Sequence, residues 1–568
     1  MKLPLALLVV GLVSLGGRQP VRPITAATAD SAASDDPYRI TTLCTAVPVN
    51  TGRRVSVSTG AELQRALDTA SAGDTILLAT GVTFSPADGS FVLRNRHLPQ
   101  GQWIVIRSAN AAFDSGGQLP PNTRASDANA ALMARIRTSN VNAPAIRAES
   151  GASGYRLIGL DIGAEASVRQ VSNLVELGNG SEKTVDALPS DIVIDRCFVH
   201  GNDDGNFRRG VMVNGARIAI VDSYVSNFHD ADTDSQAIGG SNGSGPFKIV
   251  NNFLEAASEN VMFGGSDPSI PDLVPHDIEV RRNLMTKRLS WQTARVPVKN
   301  AFELKSASHV VVEGNTFEHV WASGQDGTAI LLKSANQEGR CTWCITEYVT
   351  FRNNIVRGAA NGLAINAAET GGSGMPQPRK AHHIRVDNVV FEDIGGSQWG
   401  SGGKLLRVFG GVNTASFTHI TSRGNPGGIL DPEAPQDSNP GLVFKNNVVE
   451  RKYYGIGTGS DEGTRTLSRN FNPFTYGYNV LVNTSAPTDQ AIDNGALESR
   501  YPGHTWVVSS WNDVGFQSGT SALAKTSRFS GAGDDGKDVG ADAGAIAAAQ
   551  ANGRGADGCG GVGTAVPR

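Results

Sequence analysis

The segment Asp277-IEVRRNLM (277–285) is one copy of a pattern that recurs along most of the chain. Each copy has alternating apolar residues, then a polar pair, then a second apolar pair. Alternation with period two and a richness in Val and Ile are typical of short β-strands and exclude a helical repeat. Further copies are Asp191-IVIDRCFV, Arg217-IAIVDSYV, Phe247-KIVNNFL, His309-VVVEGNTF, Tyr348-VTFRNNIV, His383-IRVDNVVF, Ala415-SFTHIT and Leu442-VFKNNVV.

Aligning the copies brings one position into a column whose members lie 26 to 39 residues apart. Six members are Asn, and stacked Asn side chains at a solenoid bend hydrogen-bond to one another and tolerate left-handed backbone geometry. We therefore expect the column to be structural and to contribute no site residue. Its members are Asp161, Cys197, Ser223, Asn252, Asn283, Asn315, Asn354, Val389, His419, Asn447 and Asn479.

A second short strand follows most copies, as in Ala301-FELK and Ala329-ILLK. Several short strands per coil, stacked in parallel ~4.8 Å apart, describe a β-solenoid in which each coil buries its face against the next. Strand alternation then predicts one inward apolar column, formed by Met212, Ile238, Met262, Phe302, Ile330, Leu363 and Leu406.

The composition agrees with a turn-rich β protein. Gly contributes 67 of 568 residues, 18% of residues are charged, and 50 Lys and Arg nearly balance 54 Asp and Glu. A net charge of −4 argues against a nucleic-acid partner, because nucleic-acid-binding proteins usually carry a basic face. No apolar run long enough to span a membrane follows the N-terminus. We expect a monomer that binds neither nucleic acid nor a membrane once its signal is removed.

The N-terminus has the form of a secretory signal. Lys2 precedes an apolar stretch at 3–17, and residues 27–29 offer an A-x-A cleavage site. An uncleaved N-terminal anchor is the alternative. We expect a secreted or periplasmic protein.

Five cysteines remain for the mature chain. In an oxidising compartment, Cys341 and Cys344 are expected to form a small loop disulfide, because a zinc ribbon would need a second pair. Cys197 lies within a strand pattern and is expected to be a small buried apolar residue.

These features resemble the right-handed parallel β-helix of the pectate-lyase-like superfamily, over roughly residues 55 to 545. The segments Asp195-RCFVHG, Ser235-QAIGG and Glu259-NVMFGGSDP are similar to secreted bacterial β-helix proteins. The resemblance implies an all-β, right-handed parallel β-helix of about 10–12 coils, capped by a short N-terminal helix at Gly60-AELQRALDTA. The predicted organisation is a signal peptide at 1–29, an N-terminal segment with the cap at 30–75, the β-helix at 76–545 and a Gly- and Ala-rich tail at 546–568.

Two lysines carry the main functional hypothesis. Lys305 and Lys333 are expected to point outward from adjacent coils, with Glu303 beside Lys305. Two such lysines repel unless an anion lies between them or one loses its proton. Both conditions suit β-elimination on a uronate-containing glycan, which needs a base and a neutralised carboxylate. Lys305 is the predicted base, with Lys333 and Arg209 as the carboxylate clamp. The alternative is a solvated row of charges in which Glu303 pairs with a lysine.

Other polar residues that are expected to face outward concentrate in the central coils, at about 203–340. A lyase is the first functional prediction. A glycoside hydrolase is the alternative, with an acid and base drawn from Glu259, Glu303 and Asp326. A C5-epimerase begins with the same proton removal as a lyase, and a non-catalytic carbohydrate-binding or adhesion solenoid is the fourth possibility. The predicted substrate-binding residues are Arg209, Gln236, Glu259, Asn260, Lys299 and Asp326.

Three alternating aspartates, Asp230, Asp232 and Asp234, resemble the start of a calcium loop. Ser235 and Ser241 replace the Gly and Glu that an EF-hand requires, so an EF-hand is excluded. Pectate-lyase-type enzymes often use Ca²⁺ to bridge a substrate carboxylate, and these aspartates are the predicted ligands of such an ion. An exposed polar turn is the alternative.

Overall fold

The computed structural model describes residues 36–551, apart from 295, 401, 435–436, 458–460 and 485–491. The predicted signal peptide lies outside the described residues. The strands stack in parallel as three ladders that wind around a common core, which is the arrangement of a parallel β-helix. The fold prediction is therefore confirmed, and the 11 strands of the third ladder agree with the expected number of coils.

Two of the ladders form one sheet of 26 strands. The first ladder contains Arg54–Val57, Thr75–Leu78, Ile104–Ser108, Ser153–Ile158, Ser190–Asp195, Ala216–Val221, Phe247–Val250, His276–Arg281, Ala307–Glu313, Thr346–Arg352, His382–Ile394, Asn413–Arg423, Leu442–Lys445 and Phe474–Gly477. The second ladder contains Thr83–Phe84, Ala134–Thr138, Leu160–Ala164, Phe198–His200, Tyr224–Phe228, Phe253–Ala256, Leu284–Thr286, Thr316–Val320, Ile355–Ala359, Val448–Arg451, Asn479–Asn483 and Thr505–Val508. The long strands His382–Ile394 and Asn413–Arg423 belong to both ladders, the first half of each to the first ladder and the second half to the second.

The third ladder forms a sheet of its own. Its strands are Phe91–Leu93, Ile146–Ala148, Val175–Leu177, Arg209–Val213, Gln236–Gly240, Glu259–Phe263, Asn300–Leu304, Thr328–Asn336, Asn361–Thr370, Lys404–Phe409 and Gly428–Asp431. A two-stranded pairing joins Gln170–Val171 to Asn206–Phe207.

Helices are few and lie outside the ladders. The α-helices are α1 (Gly60–Thr69), α2 (Thr464–Asn470), α3 (Asn494–Glu498) and α4 (Ala543–Ala551), and short 3₁₀ turns lie at Ala111–Phe113, Asp127–Leu132, Val185–Ala187, Leu289–Gln292 and Trp511–Val514. Helix α1 is the predicted cap. It begins with a capping box between Thr59 and Glu62 and buries Leu63, Ala66 and Leu67. Helix α4 crosses the predicted boundary between solenoid and tail at 545/546. None of the helices in the described part of the chain is long and apolar enough to cross a membrane.

The bend between the first two ladders carries the predicted Asn column. Asn252 N donates to Asn283 Oδ1, Asn283 N to Asn315 Oδ1, and Asn315 N to Asn354 Oδ1, at 2.8–2.9 Å. The register corrects two members of the column: Leu160 takes the place of Asp161, and Ile420 that of His419. Left-handed geometry belongs to the residue before the column, with φ of 49–59° at Arg196, Asp222, Asn251, Arg282, Asn353, Asn388, His419, Asn446, Tyr478 and His504.

The predicted inward column of the third ladder is shifted by one residue at two strands. Val211 and Val261, and not the methionines that follow them, align with Ile238 and Phe302. Met212 and Met262 therefore face outward, in register with Glu303. Both cysteine predictions are confirmed, since Cys341 and Cys344 are disulfide-bonded and Cys197 is a buried free thiol.

An N-terminal strap, residues 38–50, lies along the outer face of the first ladder. Lys248 Nζ donates to the carbonyl oxygen of Leu43 at 3.0 Å, and Arg156 Nη1 to that of Ala46 at 2.9 Å. At the far end the guanidinium of Arg385 lies 3.6 Å from the ring centre of Tyr38. The strap thus joins coils that are far apart in the sequence.

Candidate active site

A cleft of about 160 Å³ opens on the outer face of the third ladder. Arg208, Arg209 and Gln236 line it where strands of this ladder begin, and Lys305 lines it where a strand ends. Three cationic side chains therefore meet around one opening, in the central coils where the sequence predicted the site. The other lining residues are Met212, Asp234, Gly240, Ser241, Met262, Gly264, Gly265 and Ser266.

The cleft exists because strands of this ladder turn two consecutive side chains inward. Ala237 and Ile238 are both buried in the core, as are Ala301 and Phe302. The residues on either side of such a pair face outward, so that polar groups occupy two outer columns. Gln236 belongs to the first outer column and Glu303 to the second.

Gly264 makes room for Lys305 on the neighbouring coil. Its φ is +104°, and an added Cβ would lie 2.6 Å from Cβ of Lys305. Any other residue here would strain the backbone and displace the lysine from the cleft.

Arg209 is oriented by a buried chain of hydrogen bonds. Its Nε donates to Gln236 Oε1 at 2.8 Å and its Nη1 to Asn173 Oδ1 at 2.9 Å, while Gln236 Nε2 donates to Glu259 Oε2 at 2.7 Å. Within the described chain its Nη2 makes no hydrogen bond to protein. Burial lowers the pKa of Arg209 to about 10. The guanidinium therefore remains charged at neutral pH and offers a donor to an anion in the cleft.

Glu259 ends this chain beneath the cleft. It is fully buried and is not part of the cleft lining. Burial, together with the carboxylates of Glu303 and Asp234, raises its pKa to about 7. Among the described residues, its Oε1 has no hydrogen-bond partner. Glu259 thus acts on the cleft through Gln236 and Arg209 and does not line it.

Lys287 lies in the interior below Glu259. Its Nζ donates to Asn260 Oδ1 at 3.1 Å and to the carbonyl oxygen of Asn300 at 3.0 Å. Burial lowers the pKa of Lys287 to about 7, against the opposing charge of Glu259. Asn260 Nδ2 also donates to the carbonyl oxygen of Thr286 at 2.7 Å. The structure therefore places the Asn260 side chain in the core, which removes it from the predicted substrate-binding set.

Glu303 lies between the two predicted lysines. Its Oε1 is 3.8 Å from Lys305 Nζ and 3.4 Å from Lys333 Nζ, and only 1% of its side chain is exposed. Of the two conditions that stacked lysines require, the structure meets the first: the anion between them is the protein's own carboxylate.

Lys333 is held away from the cleft. Its Nζ lies 2.8 Å from Glu369 Oε1, and it is not among the lining residues. Burial lowers its pKa, but the carboxylates of Glu303 and Glu369 outweigh this effect, and the pKa is raised. Lys333 is therefore a fixed cation behind Glu303, so the geometry does not support its predicted role as a clamp on the substrate.

The remaining predicted residues lie at the margins. Lys299 Nζ contacts Asp234 at the cleft edge. Asp326 accepts from Thr328 Oγ1 at 2.9 Å and pairs with Arg407, two coils further along the ladder. The structure thus brings Glu259 and Glu303 into electrostatic contact but engages Asp326 elsewhere.

The three aspartates of the predicted calcium loop are engaged separately. Asp230 Oδ1 accepts from the backbone N–H groups of Asp232 and Thr233 at 2.9 and 3.0 Å, and Asp234 pairs with Lys299. In the described ranges no group of three or more His, Cys, Asp or Glu side chains is placed to hold a metal ion. The calcium site at these aspartates stays a prediction.

Sequence patterns missed three participants. Lys287 directly follows the strand Leu284–Thr286, and alternation gives no sign that the chain turns it inward. Gln337 and Glu369 reach Lys305 and Lys333 from the next coils of the ladder, at positions that a strand template does not assign. Only the spacing of the coils could have indicated them.

No protein-family model matches the chain, and no curated protein matches it. Among solved structures, a PL6 family alginate lyase is 13% identical with a TM-score of 0.45, over 80% of this chain and 53% of the lyase. A GH87 α-1,3-glucanase catalytic unit from Streptomyces thermodiastaticus is 12% identical with a TM-score of 0.43, over 79% of this chain and 70% of the glucanase. A Dettilon tailspike protein is 11% identical with a TM-score of 0.38, over 66% of this chain and 65% of the tailspike. The chain thus spans about half of the lyase and just under two thirds of the tailspike.

Proposed function

We propose that the protein is a secreted polysaccharide lyase that cleaves a uronate-containing glycan by β-elimination. The observation that carries this proposal is the balance of charge in the cleft lining: Arg208, Arg209 and Lys305 stand against a single carboxylate, Asp234. A cleft of this kind attracts an anionic sugar and repels few of its groups.

β-Elimination assigns one role to Arg209 and another to Lys305. Arg209, fixed by Gln236, binds the substrate carboxylate with its remaining donor and withdraws charge from it, which acidifies the C5 proton. Lys305, whose side chain lines the cleft, is the base that takes that proton. The C5–H electrons form the C4=C5 double bond, the C4–O bond breaks, and the leaving oxygen takes a proton from water.

The hydrolase alternative fits the geometry less well. Glycoside hydrolysis needs two carboxyl groups that face the scissile bond. Glu259 and Glu303 are 0% and 1% exposed and do not line the cleft, and Asp326 is paired with Arg407. An epimerase would use the same base and carboxylate site, and differs in that C5 takes a proton on its opposite face while the C4–O bond stays intact.

Incubation with polygalacturonate, alginate, glucuronan and glycosaminoglycans tests the proposal. Ultraviolet absorbance of the new double bond and the number of reducing ends are expected to rise together. Lys305→Met should lower kcat by about 10²-fold or more. Lys404→Met, a matched control at an ion pair elsewhere on the ladder, should leave it unchanged.

Two outcomes would contradict a lyase. Reducing ends without absorbance would indicate hydrolysis, and silence in both assays would indicate an epimerase or a binding solenoid. The same assay with added Ca²⁺ and with EDTA checks the calcium prediction, which requires that chelation lower the rate.

A further inference from the structure

Lys305 is held between two rival oxygen atoms. Its Nζ donates to Gln337 Oε1 at 3.3 Å, while Glu303 Oε1 lies 3.8 Å away on the buried side. The carboxylate is the stronger attractor for an ammonium group, yet the hydrogen bond goes to the neutral amide. Something must therefore hold Gln337 firmly enough to keep the amine off Glu303.

A single buried carboxylate anchors the loop that carries Gln337. Asp267 Oδ1 accepts from Gln337 N at 2.8 Å, and its Oδ2 accepts from Glu338 N at 3.1 Å, Arg340 N at 2.9 Å and Cys341 N at 3.2 Å. Asp267 is 5% exposed and directly follows Ser266, a residue of the cleft lining. One side chain thus couples the cleft wall to the backbone around Gln337.

Three further contacts fix the same loop and the residue before it. The Cys341–Cys344 disulfide closes it on itself, and Trp343 Nε1 donates to the carbonyl oxygen of Leu273 at 3.1 Å. Asn336 Nδ2 donates to the carbonyl oxygen of Pro376 at 2.8 Å, just before the loop begins. The loop is therefore held at its start, its middle and its end.

We propose that Gln337 is a positioning residue. The loop that Asp267 anchors holds the Gln337 amide against Lys305, so that the amine faces the cleft and not Glu303. The importance of Gln337 for turnover rests on the proposed function, but the positioning itself does not. An amide suits this task because its oxygen accepts from the amine without placing a second negative charge beside it.

Crystal structures of the wild type and of Gln337→Leu test the positioning. Without the amide, Lys305 Nζ is expected to move from 3.8 Å to hydrogen-bond distance of Glu303 Oε1. Glu338→Gln, next to it on the loop but engaged with Arg340, is the matched control and should leave the amine in place. An unmoved Nζ in Gln337→Leu would overturn the proposal, whether or not any glycan is cleaved.

Kinetics on a cleaved glycan provide the second measurement. Gln337→Leu should lower kcat by about 10- to 100-fold with little change in KM, because a small misplacement of the base affects chemistry more than binding. Asp267→Asn, which weakens the anchor but keeps Gln337, should move Nζ and lower kcat in the same direction. A wild-type rate in both variants would overturn the role in turnover and leave the proposed function standing.

Discussion

Asn283 makes four side-chain hydrogen bonds at the bend between the first two ladders. Its Oδ1 accepts from Asn252 N and Nδ2, at 2.9 and 3.0 Å, and its Nδ2 donates to Ile249 O and Asn315 Oδ1, also at 2.9 and 3.0 Å. Each polar group is buried, so losing a partner costs about 1–3 kcal/mol. The Asn column therefore stabilises a bend where strand pairing is interrupted.

Asn283→Ala should lower the free energy of unfolding by about 2–4 kcal/mol, because it leaves the buried Asn252 N–H and Ile249 carbonyl group unpaired. Urea unfolding followed by circular dichroism measures the change. The exposed Asn512 serves as the control, and its substitution by Ala should cost less than about 0.5 kcal/mol. Equal effects at both positions would show that the column is not a stabilising feature.

Asp222 makes stability depend on pH in the acid range. Burial, together with the neighbouring carboxylate of Asp195, raises its pKa from an ordinary value of 3.8 to about 6. Between these two values the folded state binds more protons than the unfolded state at this group, so its contribution to stability is lost as pH rises from about 4 to 6. Asp222→Asn removes the titration. The melting temperature of the wild type, relative to this variant, should therefore fall over that range.

Thermal melts of both proteins at about pH 4.5, 5.5 and 6.5 check this prediction. Asp204→Asn is the control, since that carboxylate is 82% exposed in its pair with Arg169. A constant difference between wild type and Asp222→Asn would contradict the prediction.

At the scale of elements, the strap is the largest feature that sequence patterns did not indicate. Its residues 38–50 have no strand or helix periodicity, and its partners lie far away, as in the 205 residues that separate Leu43 from Lys248. Its backbone carbonyl groups accept hydrogen bonds from buried cationic side chains of the first ladder. The path of such a segment depends on the surface against which it packs, and the sequence of the segment alone does not contain that information.

Tyr38→Ala should release the N-terminal end of the strap. The ring lies 3.6 Å from the Arg385 guanidinium and packs edge-on against Tyr348 at 5.7 Å, and these contacts are worth about 1–3 kcal/mol together. Hydrogen exchange should rise in residues 38–43 while the segment around Ala46 stays protected by Arg156. Tyr453→Ala, at an exposed ring, should change neither segment. An equal rise in hydrogen exchange along the whole strap would contradict this local release.

For the whole molecule, the strand ladders could be predicted from the sequence, but the burial of the site residues could not. Period-two alternation identifies strands such as His276–Arg281 without reference to the rest of the fold. It fails in the third ladder, where two consecutive inward residues shift Met212 and Met262 to the outside. The outward direction of Lys305 could be predicted. The burial of Glu303 could not, because it depends on side chains from the next coils and on the loop that carries Gln337.

The C-terminal segment provides a test of how cooperatively the solenoid unfolds. Phe529 belongs to an apolar cluster separate from the main core, formed with Val448, Val480, Val482, Val508, Val514, Leu523 and Val539. In a solenoid each coil contacts only its neighbours, so a defect at one end need not reach the centre. Phe529→Ala should cost about 3–5 kcal/mol locally.

Hydrogen exchange by mass spectrometry should then show faster exchange in 505–551, unchanged protection in the central coils at 203–340, and unchanged cleavage of any glycan substrate. Phe302→Ala, at 0% exposure in the main core beside the cleft, is the matched comparison and should raise exchange in the central coils and lower activity. If Phe529→Ala loosens 203–340 as much as Phe302→Ala does, the molecule unfolds as one unit. The proposed site would then depend on packing at the far end of the chain as well as on its own coils.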